Sequence, residues 1–218
     1  MQNYLLQKTF GLLADLLWPR SCLCCGRDDR LDTGEICEVC WGSLLSSSGV
    51  EKPKKVAKLW VAFRYDERMR KIIHYYKFQH RTSLARPLAE RMVKRFKDAG
   101  FNPQEGILIP VPDHPARRRE RGYNPAGMLG EYAANLLNIP FEPAQAVRIK
   151  TGPHQSKLPD NVRKTKLIGS FNVAVCENPD LTLYLFDDVI HTGTTISRLA
   201  VAAKKVGWKR IEAICLCS

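Results

Sequence analysis

Apolar positions along the chain fall into short runs that switch between a strand period and a helix period. Residues 56–65 carry Trp60, Val61 and Phe63 and predict a strand. Helical patterns follow over 67–78 and 83–99. The run Gly106-Ile107-Leu108-Ile109-Pro110 is wholly apolar, as a strand buried on both faces requires. A helix over 123–138 has a marked start. Asn124 suits its N-cap, and Pro125 suits the first helical position, whose amide would lack a partner anyway. Strands are predicted over 171–175, 181–186 and 210–217, and a helix over 194–206. This alternation predicts an α/β domain built on a mainly parallel sheet.

The pattern differs ahead of that domain. Residues 4–18 place Leu5, Leu6, Leu12, Leu13, Leu16 and Leu17 close to one face of a short amphipathic helix. Gln7, Lys8 and Asp15 interrupt it, and it has neither a basic leader nor a small-residue cleavage site, so a secretory signal is not expected. No stretch reaches ~18 uninterrupted apolar residues, so no membrane-spanning helix is expected. The expected location is cytoplasmic. Ser43, Ser46, Ser47, Ser48 and Gly49, followed by Glu51-Lys52-Pro53-Lys54-Lys55, predict a linker. It divides the chain into a small module, 1–50, and a larger domain, 51–218.

The 218 residues are 44% apolar and 26% charged, which excludes a disordered or collagen-like chain. The net charge of +12 is unevenly spread: −2 over residues 1–50, +11 over 51–97 and +3 over 98–218. So basic a segment attracts phosphate-rich partners, either polynucleotides or a phosphorylated small molecule. A solvated Lys/Arg helix face is the plainer alternative. Trp60, Tyr65, Tyr75, Tyr76 and Phe78 interleave with these charges. Aromatics so placed can stack on single-stranded DNA bases, or simply fill a core.

Eight cysteines without a secretory signal argue for metal or redox use over a disulfide framework. Cys22-x-x-Cys25 and Cys37-x-x-Cys40, separated by 11 residues, match the two knuckles of a structural Zn2+ site. A module of ~30 residues also needs such a staple, because it cannot bury enough core. Gly26 follows the first knuckle, where tolerance of positive φ is useful. Cys24 is a spare. A thioredoxin-like dithiol and plain buried cysteines are the competing readings. Cys176, Cys215 and Cys217 lie in or beside strand patterns and are expected in the core.

The most informative stretch is an apolar strand followed by Asp187-Asp188-Val189-Ile190-His191-Thr192-Gly193-Thr194-Thr195 and a helix. Open α/β sheets bind ligands at the carboxyl ends of their strands. Here that position offers two carboxylates for sugar hydroxyls or a metal ion. The Thr-Gly-Thr-Thr turn brings amides and hydroxyls to an anion at a helix start, and Gly193 lets the backbone approach closely. The combination suits a ribose 5-phosphate. The alternative is an Asp pair that merely caps a helix.

This stretch resembles the phosphoribosyl pyrophosphate (PRPP) motif of type I phosphoribosyltransferases. The resemblance implies that Asp187 and Asp188 bind the ribose hydroxyls and that Thr192, Gly193, Thr194 and Thr195 cradle the 5′-phosphate. The cysteine module, Ile109-Pro110-Val111-Pro112 and Arg119-Glu120-Arg121-Gly122-Tyr123-Asn124 together resemble the ComF family. So do Lys77-Phe78, Arg148, Gln155 and Arg163. The similarity spans nearly the whole chain. It implies a phosphoribosyltransferase-like parallel sheet flanked by helices, with an N-terminal four-cysteine zinc module and a role in DNA uptake during natural transformation. It further implies pentosyl transfer from PRPP with Mg2+ on the pyrophosphate, to an acceptor not specified by the motifs. Arg117, Arg118, Arg119 and Arg121 are the pyrophosphate-loop candidates, and residues 148–163 a lid. The chain departs from the family at Lys166, where Asn is expected. At His191 the 6-oxopurine transferases place an Asp that handles a base proton. Histidine suits that task near neutral pH, or bonds to backbone in a loop. Two non-catalytic alternatives stay open: a DNA-binding competence factor, and an adaptor whose module and leucine-rich helix dock a partner such as a helicase.

Overall fold

The computed structural model of the protein describes residues 21–28, 34–148 and 171–218. The helix expected over 4–18 lies outside them, as does the lid segment beyond Arg148, with Gln155, Arg163 and Lys166. The elements run in chain order as α1 (Glu38–Gly42), β1 (Lys58–Phe63), α2 (Glu67–Phe78), α3 (Ala85–Asp98), β2 (Gly106–Pro110), α4 (Pro115–Arg121) and α5 (Pro125–Leu137). They continue as β3 (Ala146–Arg148), β4 (Phe171–Val173), β5 (Thr182–Val189), α6 (Thr194–Lys205) and β6 (Arg210–Cys217).

Four strands form one sheet in the order β1-β6-β5-β2, and every pairing is parallel. The α/β expectation therefore holds, with helices on both faces. Leu183 and Leu185 of β5 pack with Ile196, Leu199 and Ala203 of α6. Tyr184 and Phe186, one residue out of step, pack with Met69, Ile72 and Tyr76 of α2 and with α3 and α5. That division is the period-2 alternation of a strand. β3 and β4 form a separate antiparallel ribbon, so the strand expected over 171–175 exists but lies outside the main sheet.

Local chemistry explains the ends of the elements. Asp66 caps α2 by accepting the Met69 amide at 2.9 Å. Pro125 occupies the first turn of α5 as expected, but the Asn124 side chain does not cap that helix; its Nδ2 donates to the Val111 carbonyl at 3.3 Å. Asn138 ends α5 in the left-handed region.

The segment expected as a linker is laid onto the domain. Leu44, Pro53 and Val56 are buried. Ser46 bridges to Phe63, and the Ser47 hydroxyl meets that of Ser218 at 2.6 Å. Cys22, Ile36, Trp41 and Leu44 share one continuous apolar cluster with α2 and α3. Three arginines of the basic segment serve this docking. Arg91 pairs with Glu38 and stacks on Trp41, and Arg81 reaches Glu35 at 3.2 Å. Arg95 donates to the Leu44 carbonyl and lies over Phe63. Arg86 and Lys94 pair with Glu90 and Asp98 one turn on. Among the described residues no helix is long and apolar enough to cross a membrane.

Candidate functional site

β5 ends in the acid pair, inside the sheet rather than on a loose loop: Asp187 is in register with Cys215, and Val189 with Cys217. Strand alternation sends the two carboxylates to different surroundings. Asp188 is 5% exposed, and its Oδ1 lies 2.6 Å from Lys77 Nζ in the last turn of α2. Burial alone would lower the Lys77 ammonium, but the charges of Asp188 and Asp187 outweigh it and hold Lys77 above its ordinary value. Asp187 keeps an edge toward solvent, and its Oδ1 accepts the Asp188 amide at 2.9 Å. Burial and the Asp188 charge push the Asp187 carboxyl well above its ordinary value, with Lys77 opposing them.

The turn after β5 is built as its composition implies. Gly193 has φ +64°, and a Cβ there would lie 3.0 Å from Pro53 Cγ. Glycine is needed on both counts, for its left-handed backbone and for the close strap. The helix's own bonding begins with the Ser197 amide to the Gly193 carbonyl at 2.8 Å, so the earlier first-turn amides are those a helix leaves for other partners. The Thr192 and Thr194 hydroxyls are 2.8 Å apart. Thr195 follows in the first turn of α6, half-buried. A cleft of about 390 Å3 opens beside the turn, lined by Lys52, Lys54, Thr192, Thr194, Ser197 and Arg198. The arrangement offers carboxylates to hydroxyls, and hydroxyls, amides and cations to an anion. His191 is exposed and stands edge-on to Tyr65, ring centroids 5.3 Å apart.

The arginine candidates separate. Arg117, Arg118 and Arg119 are exposed on α4, a short helix not anticipated from the sequence. Arg121 turns inward instead, 3.5 Å from Asp113 and over the Phe78 ring. Arg118 and Arg119 line a cavity of about 1060 Å3 with Asp113, Tyr123, Glu131 and Arg148. Burial lowers the Arg148 guanidinium; Asp113 and Asp187 oppose the shift, and the Arg117 and Arg198 charges add to it. The strap at Pro53 and the role of Arg198 had no sequence signal, because each depends on which segments pack together.

Cys22, Cys25, Cys37 and Cys40 come together, their sulfurs all within 4.8 Å of one another. Tetrahedral Zn–S bonds of ~2.3 Å place sulfurs roughly 3.8 Å apart, and Cys25 and Cys37 are already at 3.9 Å. Burial alone would raise the Cys22 thiol, but amides of Cys37, Cys25 and Cys24 lower it to about 6. Donor chemistry and spacing both fit a metal such as zinc. Gly26 closes the first knuckle at φ +74°, as expected. Cys24 stands beside the cluster, half-buried, and Cys215 and Cys217 are core residues. Of the interleaved aromatics, Tyr76 is fully buried with its hydroxyl on the Pro125 carbonyl, and Trp60 bonds Glu212. Phe78 alone among the five is largely exposed, at 61%.

The chain is 26% identical over 222 aligned positions to Competence protein F of Haemophilus influenzae, covering 97% of each. It is 23% identical to the DNA utilization protein YhgH of Escherichia coli, covering 90% of this chain and 89% of the relative. The YhgH of Salmonella typhi is 24% identical over 77% of this chain and 75% of the relative. No protein-family model matches the chain.

Proposed function

We propose that the protein is a ComF-like phosphoribosyltransferase-domain protein that binds PRPP at the β5–α6 turn and acts in DNA uptake. The observation that carries the ligand is the turn itself. Two carboxylates end a parallel strand, and a glycine at φ +64° starts a 12-residue helix beside two threonine hydroxyls. Asp187 and Asp188 accept the ribose hydroxyls, and Thr192, Gly193, Thr194 and Thr195 hold the 5′-phosphate. The relatives named for competence and DNA utilization, similar along most of their length, support the biological role.

The reaction class that fits is pentosyl transfer. The bond from C1 to pyrophosphate breaks, and a bond from C1 to the acceptor forms. Arg117, Arg118 and Arg119 are exposed next to the cavity and supply cations for the leaving pyrophosphate. Arg121, engaged with Asp113, orients that loop. His191 is the candidate for an acceptor proton, exposed at the mouth of the turn. Mg2+ bound with PRPP would neutralise pyrophosphate charge. Among the described residues the four cysteines form a metal-type cluster. Zn2+ in that cluster is structural.

Calorimetric titration with PRPP and Mg2+, beside the Asp187→Asn/Asp188→Asn variant, tests the site. Binding that the variant loses is expected; no binding by a folded sample would refute it. A second reading, a non-catalytic single-stranded DNA binder or helicase-docking adaptor, draws on the +11 segment and the exposed Phe78. DNA affinity that falls steeply with salt would favour it, while a partner lost on deleting the module would favour the adaptor.

A further inference from the structure

The acid pair is asymmetric in a way its sequence does not show. Asp188 shares the sheet face of Tyr184 and Phe186, against α2, and Asp187 shares the face of Leu183 and Leu185, toward α6. On the first face Lys77 Nζ sits 2.6 Å from Asp188 Oδ1, with side-chain exposures of 18% and 7%. Lys77 lies in the last turn of a 12-residue helix, where the dipole also favours a cation. No flexible surface side chain is involved. The lysine reaches from α2 to the strand end, where Cys217 Sγ also meets the Asp188 carbonyl at 3.5 Å. On the second face Asp187 is a half-buried residue, and its Oδ1 accepts the Asp188 amide at 2.9 Å.

We propose that Lys77 is the built-in counter-cation of the acid pair, a positioning residue that holds Asp188 by Oδ1 and leaves Asp187 as the carboxylate that exchanges water for ribose hydroxyls. As to the ligand, this rests on the ribose phosphate reading of the turn; the ion pair itself does not. The reason is electrostatic. Two adjacent carboxylates would carry −2 into a poorly solvated strand end, repelling an anionic sugar phosphate and attracting a divalent cation. One ammonium reduces the trio to −1 and fixes the rotamer of Asp188, so that Asp187 meets ribose hydroxyls beside a neighbour whose charge is already paired. Lysine suits the task better than a bound metal ion because it does not exchange with solvent and is supplied by the fold.

The test is calorimetric titration of the full-length protein with ribose 5-phosphate, without added divalent ion, in the wild type, Lys77→Gln and Lys77→Arg. A parallel Mn2+ titration is made on each. Gln keeps an uncharged NH2 donor on a stem one bond shorter, so the charge is removed while a neutral donor stays near the site. The expected result is binding within about threefold of wild type for Lys77→Arg, and at least about tenfold weaker binding for Lys77→Gln, the size of a charge-assisted contact. Mn2+ should bind Lys77→Gln about tenfold or more tightly than wild type, because the pair has lost its internal cation. Unchanged ribose 5-phosphate and Mn2+ affinities in Lys77→Gln would overturn the counter-cation role while sparing the ribose site. No ribose 5-phosphate binding by any protein, with the Mn2+ gain present, would support the counter-cation and sink the ribose reading. Absence of both overturns both. If Lys77→Gln does not fold, Lys77→Arg carries the test: a loss beyond about tenfold despite the retained charge overturns the proposal.

Discussion

The cysteine module and the β5–α6 turn both concentrate charged and nucleophilic side chains, but they stand in opposite relations to the fold. In the module the chemistry makes the structure. Cys22, Cys37 and Cys40 are buried around a few apolar residues, and α1 is only five residues long. What holds the module to the domain is the shared cluster of Trp41 and Leu44 with α2 and α3, and ion pairs such as Arg91 to Glu38. At the turn the structure makes the chemistry. A strand paired with β2 up to Phe186 and with β6 through Val189 fixes Asp187 and Asp188, and α6 follows from the threonines. The lesson is that four thiols can be essential without touching a ligand, whereas two carboxylates can be removed with most of the sheet left intact.

The largest expected effect breaks the module. Cys37→Ser removes one sulfur from the four-cysteine cluster, a chelator would strip a metal such as zinc from it, and either is expected to loosen the packing of Trp41 and Leu44 on the domain. A loss of about 3–5 kcal/mol in chemical unfolding, with earlier proteolysis before residue 58, is expected. An unchanged unfolding curve would show that the module folds without metal.

The next effects sharpen the contrast within the turn. Asp188→Asn leaves the Lys77 ammonium unpaired in a site where it is 18% exposed, and should cost about 3 kcal/mol. Gly193→Ala forces an L side chain into φ +64° and against Pro53, costing about 1–2 kcal/mol and displacing the strap. Asp187→Asn should act with the opposite sign. Folding raises this carboxyl, so its charged form costs stability above its folded value; the cost fades as pH falls from that value to the ordinary carboxylate value and is gone below it. Without ligand, Asp187→Asn is therefore expected to raise the thermal midpoint at pH 8 and to leave it unchanged near pH 3. The same variant should lose ribose phosphate binding. Equal destabilisation by the two Asn variants at pH 8 would remove the asymmetry between the acids.

Much of this was legible along the chain. The helix over 67–78, the strands over 106–110 and 210–217 and the start of α5 at Pro125 fall where local pattern put them. Their periods and caps are properties of neighbouring residues. The helix α4 escaped because Pro115–Arg121 is almost wholly charged and has no buried residue, so no apolar period marks it. The apparent linker escaped because serines, glycine and lysines look alike whether solvated or laid against a core. The basic segment looked like a free surface because the sequence does not show that Glu35 and Glu38 lie opposite Arg81 and Arg91.

By itself, then, the sequence determined the alternation of strands and helices, the four-cysteine spacing and the acidic strand end followed by a glycine turn. Each is a matter of residues close in the chain, where period, knuckle geometry and backbone freedom act locally. Only the tertiary structure decided which acid is paired and which is open. Lys77 and Asp188 are 111 residues apart, and their meeting depends on how α2 packs across the sheet face that Asp188 shares. It likewise decided that Arg121 turns inward to Asp113 while Arg117, Arg118 and Arg119 stay exposed, and that Pro53 closes over Gly193. Charges and small residues carry no periodic signal of their partners, so their roles follow from packing rather than from order along the chain.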